Sequence, residues 1–420
     1  MEKKTRTYFC IDMKTFYASV ECAERGLNPF ETNLVVADPE RGKNSLCLAI
    51  TPKMKAQGIK NRCRMSDIPK NIKYEVAMPR MQLYIDYTAE IYAIYLKYID
   101  PNDIHVYSID EAFLDVTDYL QMYHTDAISF AKKLMGEILE KKHIPSTAGI
   151  GTNLYLAKIA LDITAKHSRD HIGFLDEETY RKTLWNHTPI TDFWQIASGK
   201  ANRLKRYGIV DMNGVAHAPQ ELLQKLFGKD WILLYDHAWG REPCLIEDIK
   251  QYSPKGHSIS SSQILPKDYE YEKAKIVLSE MIVNSCYDMM KQHVITQKVG
   301  LYVGYSSELH EPTGGTVRMP ITTNLPNKIM PFAMDLFEQT TAKQYLIRRI
   351  GIAFENVCDE SCEGYDLFTN FEEVEKEKRK EQAMLGIRER FGKNAVLRAT
   401  SYLDGATQKE RNTFIGGHKA

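Results

Sequence analysis

Apolar positions near the start of the chain change their period at Asp12. "TYFCID" over 7–12 is a continuous apolar run with aromatic enrichment, the pattern of a buried strand ending at Asp12. Beyond it Met13, Phe16, Tyr17, Val20 and Ala23 recur at helical spacing, and Thr15 is placed to cap that helix. Asp12 is therefore expected where a strand gives way to a helix. Residues 27–79 contain several Pro and Gly and short strand-like runs such as "NLVVA", the pattern of a small inserted subdomain. Residues 81–98 are helical in pattern, and "DIHVYSI" and "AFLDVT" predict a hairpin joined at Asp110-Glu111. Residues 126–142 predict an amphipathic helix, "STAGIGTN" a strand and turn, and "LYLAKIALDITAKH" another helix. This order predicts an α+β sheet with helices packed on one face.

Residues 175–240 are mainly helical in pattern. Within them "FWQIASGKANRLKRYGI" places Lys200, Arg203, Lys205 and Arg206 after a Gly-containing turn. Composition shifts at "EDIKQYSPKGHS". From about residue 251 "SISSSQIL", "QKVGLYVGYS", "GTVRMPIT" and "IRRIGIAFENV" are strand-like, with helical patterns over 269–291 and 327–345. That is a second α+β unit. Residues 361–420 are highly charged, partly helical and expected to be loosely ordered.

Composition narrows the class. With 43% hydrophobic and 26% charged residues over 420 positions, the chain is that of a folded protein. No apolar stretch approaches the roughly 18 residues a membrane helix needs, and "MEKKTRTYFCID" has no secretory core. The eight cysteines, at 10, 22, 47, 63, 244, 286, 358 and 362, form no Cys-x-x-Cys pair. They are expected as free thiols of a reducing cytoplasm rather than as a zinc site. The formal net charge of zero hides a segregation. Residues 41–73 carry nine Lys or Arg against one acid, and residues 86–118 carry eight acids against one base. Residues 376–420 carry eleven bases against five acids. A solvated face explains any one charge run; a basic stretch beside an acidic one also suits a polyanion held near bound cations.

Asp12, Asp110 and Glu111 are the candidate chemistry. If their strands are neighbours, the three acids meet at one end of a sheet, where their repulsion calls for a cation. Oxygen ligands in that number suit Mg²⁺ or Mn²⁺. Two such ions about 4 Å apart form the clamp used for in-line phosphoryl transfer. The alternative is a surface Asp-Glu turn and an unrelated strand-end Asp, and these residues alone leave both open.

Further segments decide for the first reading. "FCIDMKTFYASVE", "YSIDEAFLDVT" and "AGIGTNLYLAKIALDITAKH" resemble, in order and spacing, three motifs of the Y-family (translesion) DNA polymerases, most closely their UmuC-type branch. The resemblance covers residues 7–240 closely and 250–420 more loosely. It implies a right-hand polymerase with a ferredoxin-like palm over 1–26 and 80–167 and small fingers over 27–79. A helical thumb would follow over 168–240, a linker over 241–250, a separate α+β little finger over 251–360 and a charged tail over 361–420. It implies a low-fidelity, template-directed enzyme that extends primers past damaged bases and releases pyrophosphate from dNTPs, within a damage (SOS) response. Two Mg²⁺ ions would serve it, with Mn²⁺ able to substitute. Asp12 and Asp110 would hold both ions, Glu111 the primer-side ion, and the Met13 backbone carbonyl the nucleotide-side ion. Phe16 and Tyr17 would contact the nucleotide, Tyr17 as a steric gate against a 2′-hydroxyl. Lys55 and Lys166 would meet the triphosphate.

Lys200, Arg203, Lys205 and Arg206 would grip DNA phosphates, making binding steeply salt-dependent. "GYDLF" resembles a sliding-clamp peptide in which Leu367 and Phe368 would anchor. The sequence departs from the family pattern in four places. Lys14 stands where an acid or Asn is common, Pro52 where a Tyr is common, and Gly364 where the clamp peptide has Gln. The phosphate-gripping turn has one Gly where two are usual. Two other readings are weighed: a nucleotidyl cyclase of the diguanylate type on a similar palm, and a catalytically silent DNA- or clamp-binding relative.

Overall fold

Alternation along "YFCIDM" sets the first sheet. In the computed structural model, which describes residues 5–42, 44–253, 258–307, 309–364 and 370–419, this segment is the central strand β1 (Tyr8–Met13). The chain divides into two units, Met1–Tyr252 with His418–Ala420, and Ser253–Gly417. In the first unit β2 (Leu34–Val36), β3 (Ala49–Ile50) and β4 (Glu75–Ala77) form a small sheet in the order β3-β2-β4. The main sheet adds β5 (Ile104–Val106), β6 (Glu111–Asp115), β7 (Ser146–Gly151) and β8 (Ile172–Leu175), in the order β5-β6-β1-β7-β8.

Both faces of this sheet are covered, not one as the sequence pattern suggests. Phe9 points to one side and meets Phe130 of the helix Ala127–Lys142 at 5.9 Å. Tyr8 and Cys10 point to the other, into a cluster with Phe113, Leu154, Ala157 and Leu161. The second cover is the helix Leu154–Ile159, continued by a wider π turn over Ala160–Thr164. Asn153 starts it: its Oδ1 accepts from Leu156 N, and its Nδ2 donates to Gly240 O, both at 2.8 Å.

Two glycines set how deeply this helix sits. A Cβ on Gly149 would fall 2.0 Å from the Ala157 carbonyl oxygen, and one on Gly151 2.1 Å from Ala157 N. The helix backbone therefore rests directly on β7. Gly149 is the cross-strand partner of Cys10, so the same approach carries the helix toward β1.

In the second unit β9 (Ile259–Tyr269), β10 (Val294–Tyr305), β11 (Thr313–Thr323) and β12 (Ile347–Glu355) run in the order β11-β10-β12-β9. Helices Tyr271–Lys291 and Pro326–Thr340 bury Leu278, Ile282, Ile329 and Phe337 with Val299, Ile350 and Phe354 of the sheet. The expectation of a loosely ordered tail over 361–420 does not hold for the described residues. Phe371–Phe391 is a helix whose Glu381, 0% exposed, accepts from Tyr287 Oη at 2.9 Å and Arg398 Nη2 at 2.7 Å. Glu280 Oε2 accepts from Thr407 N at 2.8 Å and Gln408 N at 3.1 Å. Paired carboxylates order this segment together with an apolar contact, in which Val374, Met384 and Leu385 pack on Val283, Tyr287 and Met290.

The glycine contact is testable. Gly149→Ala is expected to lower the unfolding free energy by about 3 kcal/mol or more, because backbone must move. Gly136→Ala, on an exposed helix turn with open space around it, is expected to add about 0.5–1 kcal/mol. Guanidinium midpoints of the two variants check both.

Candidate active site

The register of β1 against β6 builds the site. Asp12 is the cross-strand partner of Glu111, and directly opposed residues of an antiparallel pair share a face. The hairpin is not joined at Asp110-Glu111 as expected. β5 ends at Val106, the turn takes residues 107–110, and Glu111 already opens β6. Tyr107 N and Ser108 N donate to Glu111 O at 2.9 and 3.1 Å, and Met13 N donates to Asp110 O at 2.9 Å. Ser108 Oγ donates to Asp110 Oδ1 at 2.7 Å, and Thr88 Oγ1 pins the turn through Ile109 O at 2.5 Å. Asp12, Asp110 and Glu111 thus meet at one end of the sheet.

Their crowding has an electrostatic signature. Burial, then the charges of Asp110 and Glu111, push the Asp12 carboxyl up to about 8. Lys158 opposes that push. Its Nζ lies 2.8 Å from Glu111 Oε2 and 3.2 Å from Asp162. Cys10 Sγ donates to the other Glu111 oxygen, Oε1, at 3.0 Å. Cys10, Lys158 and Asp162 are absent from the sequence-level site. Two signals were available: Cys10 stands two residues before Asp12 on the same strand face, and Lys158 and Asp162 are one helical turn apart.

Among the described residues, no group of three or more His, Cys, Asp and Glu stands in ready-made ligand geometry. The reason is visible. Both Glu111 oxygens and one Asp110 oxygen are turned to partners within the chain. The donor chemistry nonetheless fits a hard divalent cation, with carboxylate oxygens only and an Asp12 whose charged form is only partly compensated.

The start of the next helix carries the aromatic residues. Thr15 does not cap it through its side chain; it adopts a left-handed φ of 47°. Ser19 Oγ instead donates to Lys14 O at 2.6 Å. Phe16 is buried and Tyr17 half-buried. Tyr17 stacks on Tyr84 with centroids 4.5 Å apart and planes at 19°. Tyr84 Oη donates to the buried Glu21 Oε1 at 2.8 Å, and Arg80 donates to Glu21 at 3.0 and 2.8 Å. Sequence reasoning named Tyr17 but not its backing ring.

Lys55 is exposed, and partial desolvation by its neighbours lowers its pKa, with Asp12 opposing and Lys166 reinforcing the shift. Lys14 is likewise lowered by burial, within the fields of Asp12 and Lys55. Lys14, Lys55 and the exposed Lys166 therefore belong to one electrostatic neighbourhood with Asp12. Lys14, which looked like a departure from pattern, adds a cation to it.

The basic turn is a separate feature. Lys200 is half-buried, and Arg203, Lys205 and Arg206 are exposed on or just after the helix Ser198–Lys205. Arg203 Nη1 donates to Leu226 O at 3.1 Å, so this residue also fastens its own domain. Leu367 and Phe368 lie outside the described residues. No helix among the described residues is long and apolar enough to cross a membrane.

An acid triad at a sheet end, with a cation group and an aromatic ring beside it, defines the class of palm-type nucleotidyl transferases. Residues 11–162 match the impB/mucB/samB family model, and residues 256–367 the model of that family's C-terminal domain. The chain is 31% identical to DNA polymerase IV 2 of Bacillus subtilis (strain 168), over 99% of each chain. It is 31% identical to a protein of the same strain named for UV-damage repair, UvrX, over 99% of this chain and 98% of the relative. A solved structure, the Y-family DNA polymerase chimera Dbh-Dpo4(243-245)-Dbh, superposes with a TM-score of 0.65 at 21% identity. That likeness covers 84% of this chain and 99% of the other. The chain belongs to the impB/mucB/samB family, the Y-family of translesion DNA polymerases. It is a DNA-directed DNA polymerase acting on primer–template DNA and dNTPs, in a family that uses divalent metal ions. No match favours a cyclase or a silent relative.

Asp12 gives a pH test. Its folded-state pKa lies above the ordinary 3.8, so its contribution to stability is present at low pH and lost as pH rises through about 8. In chelator-treated protein the thermal midpoint is expected to fall between about pH 4 and about pH 8, and Asp12→Asn is expected to flatten that fall. Melting curves in matched buffers check it.

Proposed function

We propose that the enzyme joins a dNTP to a primer by nucleotidyl transfer at Asp12, Asp110 and Glu111, using two Mg²⁺ ions. The observation that carries this is the pairing of Asp12 with Glu111 on one sheet face, beside an Asp110 fixed by the hairpin turn. Bound ions would neutralise the developing charge and clamp the attacking and leaving oxygens. The Met13 carbonyl would complete the nucleotide-side set. The side chains do the remaining work. Lys55 and Lys166, joined by Lys14, draw the triphosphate toward Asp12 and offset charge on the departing pyrophosphate. Phe16 closes the floor beneath the sugar, and Tyr17 stands against its 2′ position. Lys200, Lys205 and Arg206 hold template phosphates without reading sequence. Arg203 divides its role between phosphate and the Leu226 carbonyl.

The domain reading follows the same logic. Residues 1–26 and 80–167 form the palm, 27–79 the fingers, 168–240 the thumb, 241–250 a linker and 251–360 the little finger. Small fingers suit a loose grip on the templating base, hence tolerance of damaged templates. A cytoplasmic location and a clamp contact through Leu367 and Phe368 complete the reading, with support from the family resemblance alone.

Primer extension on a primed template with dNTPs and Mg²⁺ tests it. Wild-type protein is expected to extend the primer, and Asp110→Ala to lose about a thousandfold in rate. Extension that survives this substitution rejects the metal assignment. Tyr17→Ala is expected to raise ribonucleotide relative to deoxyribonucleotide incorporation by about tenfold or more. An unchanged ratio in single-nucleotide assays rejects the gate.

A further inference from the structure

Lys158 has no part in the chemistry proposed above, yet its position is costly. The residue is 8% exposed, and a buried ammonium is strongly unfavourable unless paired. An ordinary structural pair was at hand, since Asp162 stands one turn away on the same helix. Lys158 instead makes its shorter contact across to β6, at 2.8 Å to Glu111 Oε2, against 3.2 Å to Asp162. The reach depends on the glycine strand: with Gly149 and Gly151 bare, the helix lies against β7. On the far side of Glu111, Cys10 Sγ engages Oε1 at 3.0 Å, and Cys10 is 0% exposed. Glu111 is thus gripped at both oxygens, by a largely buried ammonium and a fully buried thiol.

We propose that Lys158 is a built-in counter-ion and positioning residue for Glu111. It offsets the repulsion among Asp12, Asp110 and Glu111 when no metal is bound, and it keeps the Glu111 carboxylate at the sheet end where the primer-side ion is placed. Lys158 acts through Glu111 and touches no reacting atom. This inference rests on the metal-site reading above. It has an unusual corollary. A fixed positive charge competes with a bound cation for the same negative field. Its removal should tighten metal binding while it loosens the geometry that makes the metal useful.

Lys158→Met keeps most of the unbranched stem of the side chain and removes the charge. Its metal-free thermal midpoint is expected to fall, and the rise produced by millimolar Mn²⁺ to grow about twofold. Half-saturating Mn²⁺ should drop severalfold, while the single-turnover rate at saturating Mn²⁺ falls about tenfold or more, the penalty for a misplaced group. Lys158→Arg should restore the wild-type metal response. If Lys158→Met does not fold, Lys158→Met with Glu111→Gln should, because the orphaned charge is gone; failure of that double variant to fold overturns the proposal. An equal fall of the midpoint with and without Mn²⁺, at unchanged half-saturation, also overturns it and marks a plain structural ion pair. A wild-type midpoint indifferent to Mn²⁺ overturns the metal reading itself, and this inference with it. A wild-type rise that Lys158→Met fails to enlarge overturns this inference alone.

Discussion

Repulsion between Asp12 and Glu111 is the constraint around which the first unit is arranged. The register of β1 and β6 puts them opposite each other on one face, and the hairpin turn adds Asp110. No fold gains stability from three gathered acids. The surroundings answer it with Lys158 at 2.8 Å from Glu111, with Lys14 and Lys55 in the field of Asp12, and with an Asp12 that holds its proton more tightly than usual. Each answer is partial, which leaves a site suited to divalent cations.

The aromatic residues follow a different rule. Tyr17 is exposed enough to meet a ligand, and a half-buried ring needs a backing to stay in one place. Tyr84 supplies the ring, Glu21 fixes its hydroxyl, and Arg80 fixes Glu21. From Tyr84 to Arg80 the chain of contacts runs through charge-assisted bonds to the buried Glu21, which are stronger than neutral ones. A surface that faces substrate is therefore held from behind by the core.

The acids were legible in the sequence because an Asp closing an apolar run, and an Asp-Glu pair between two others, violate local pattern. Helix and strand placement was legible from periodicity over most of the chain. Lys158 was not, since its meaning depends on how far a helix sinks onto a glycine-bearing strand, and periodicity carries no depth. Tyr84 reads as one core aromatic among many until the stack with Tyr17 is seen. Thr15 was misread because a cap and a left-handed turn favour overlapping residue types. The closing segment was misread for a physical reason too. Its many charges look solvated, whereas Glu381 is wholly buried and satisfied.

That last segment changes what the end of the second unit is. Glu280, 4% exposed, presents one oxygen to the backbone N–H groups of Thr407 and Gln408, while Gln263 Nε2 donates to Thr407 Oγ1 at 2.9 Å. These are the contacts a receptor makes with a bound peptide, here made to a peptide permanently tethered. The tether supplies an effective concentration that no free peptide reaches. A chain cut ahead of Thr407 would leave a carboxylate sealed in the interior with its donors gone, so shortening this end is an operation on the core.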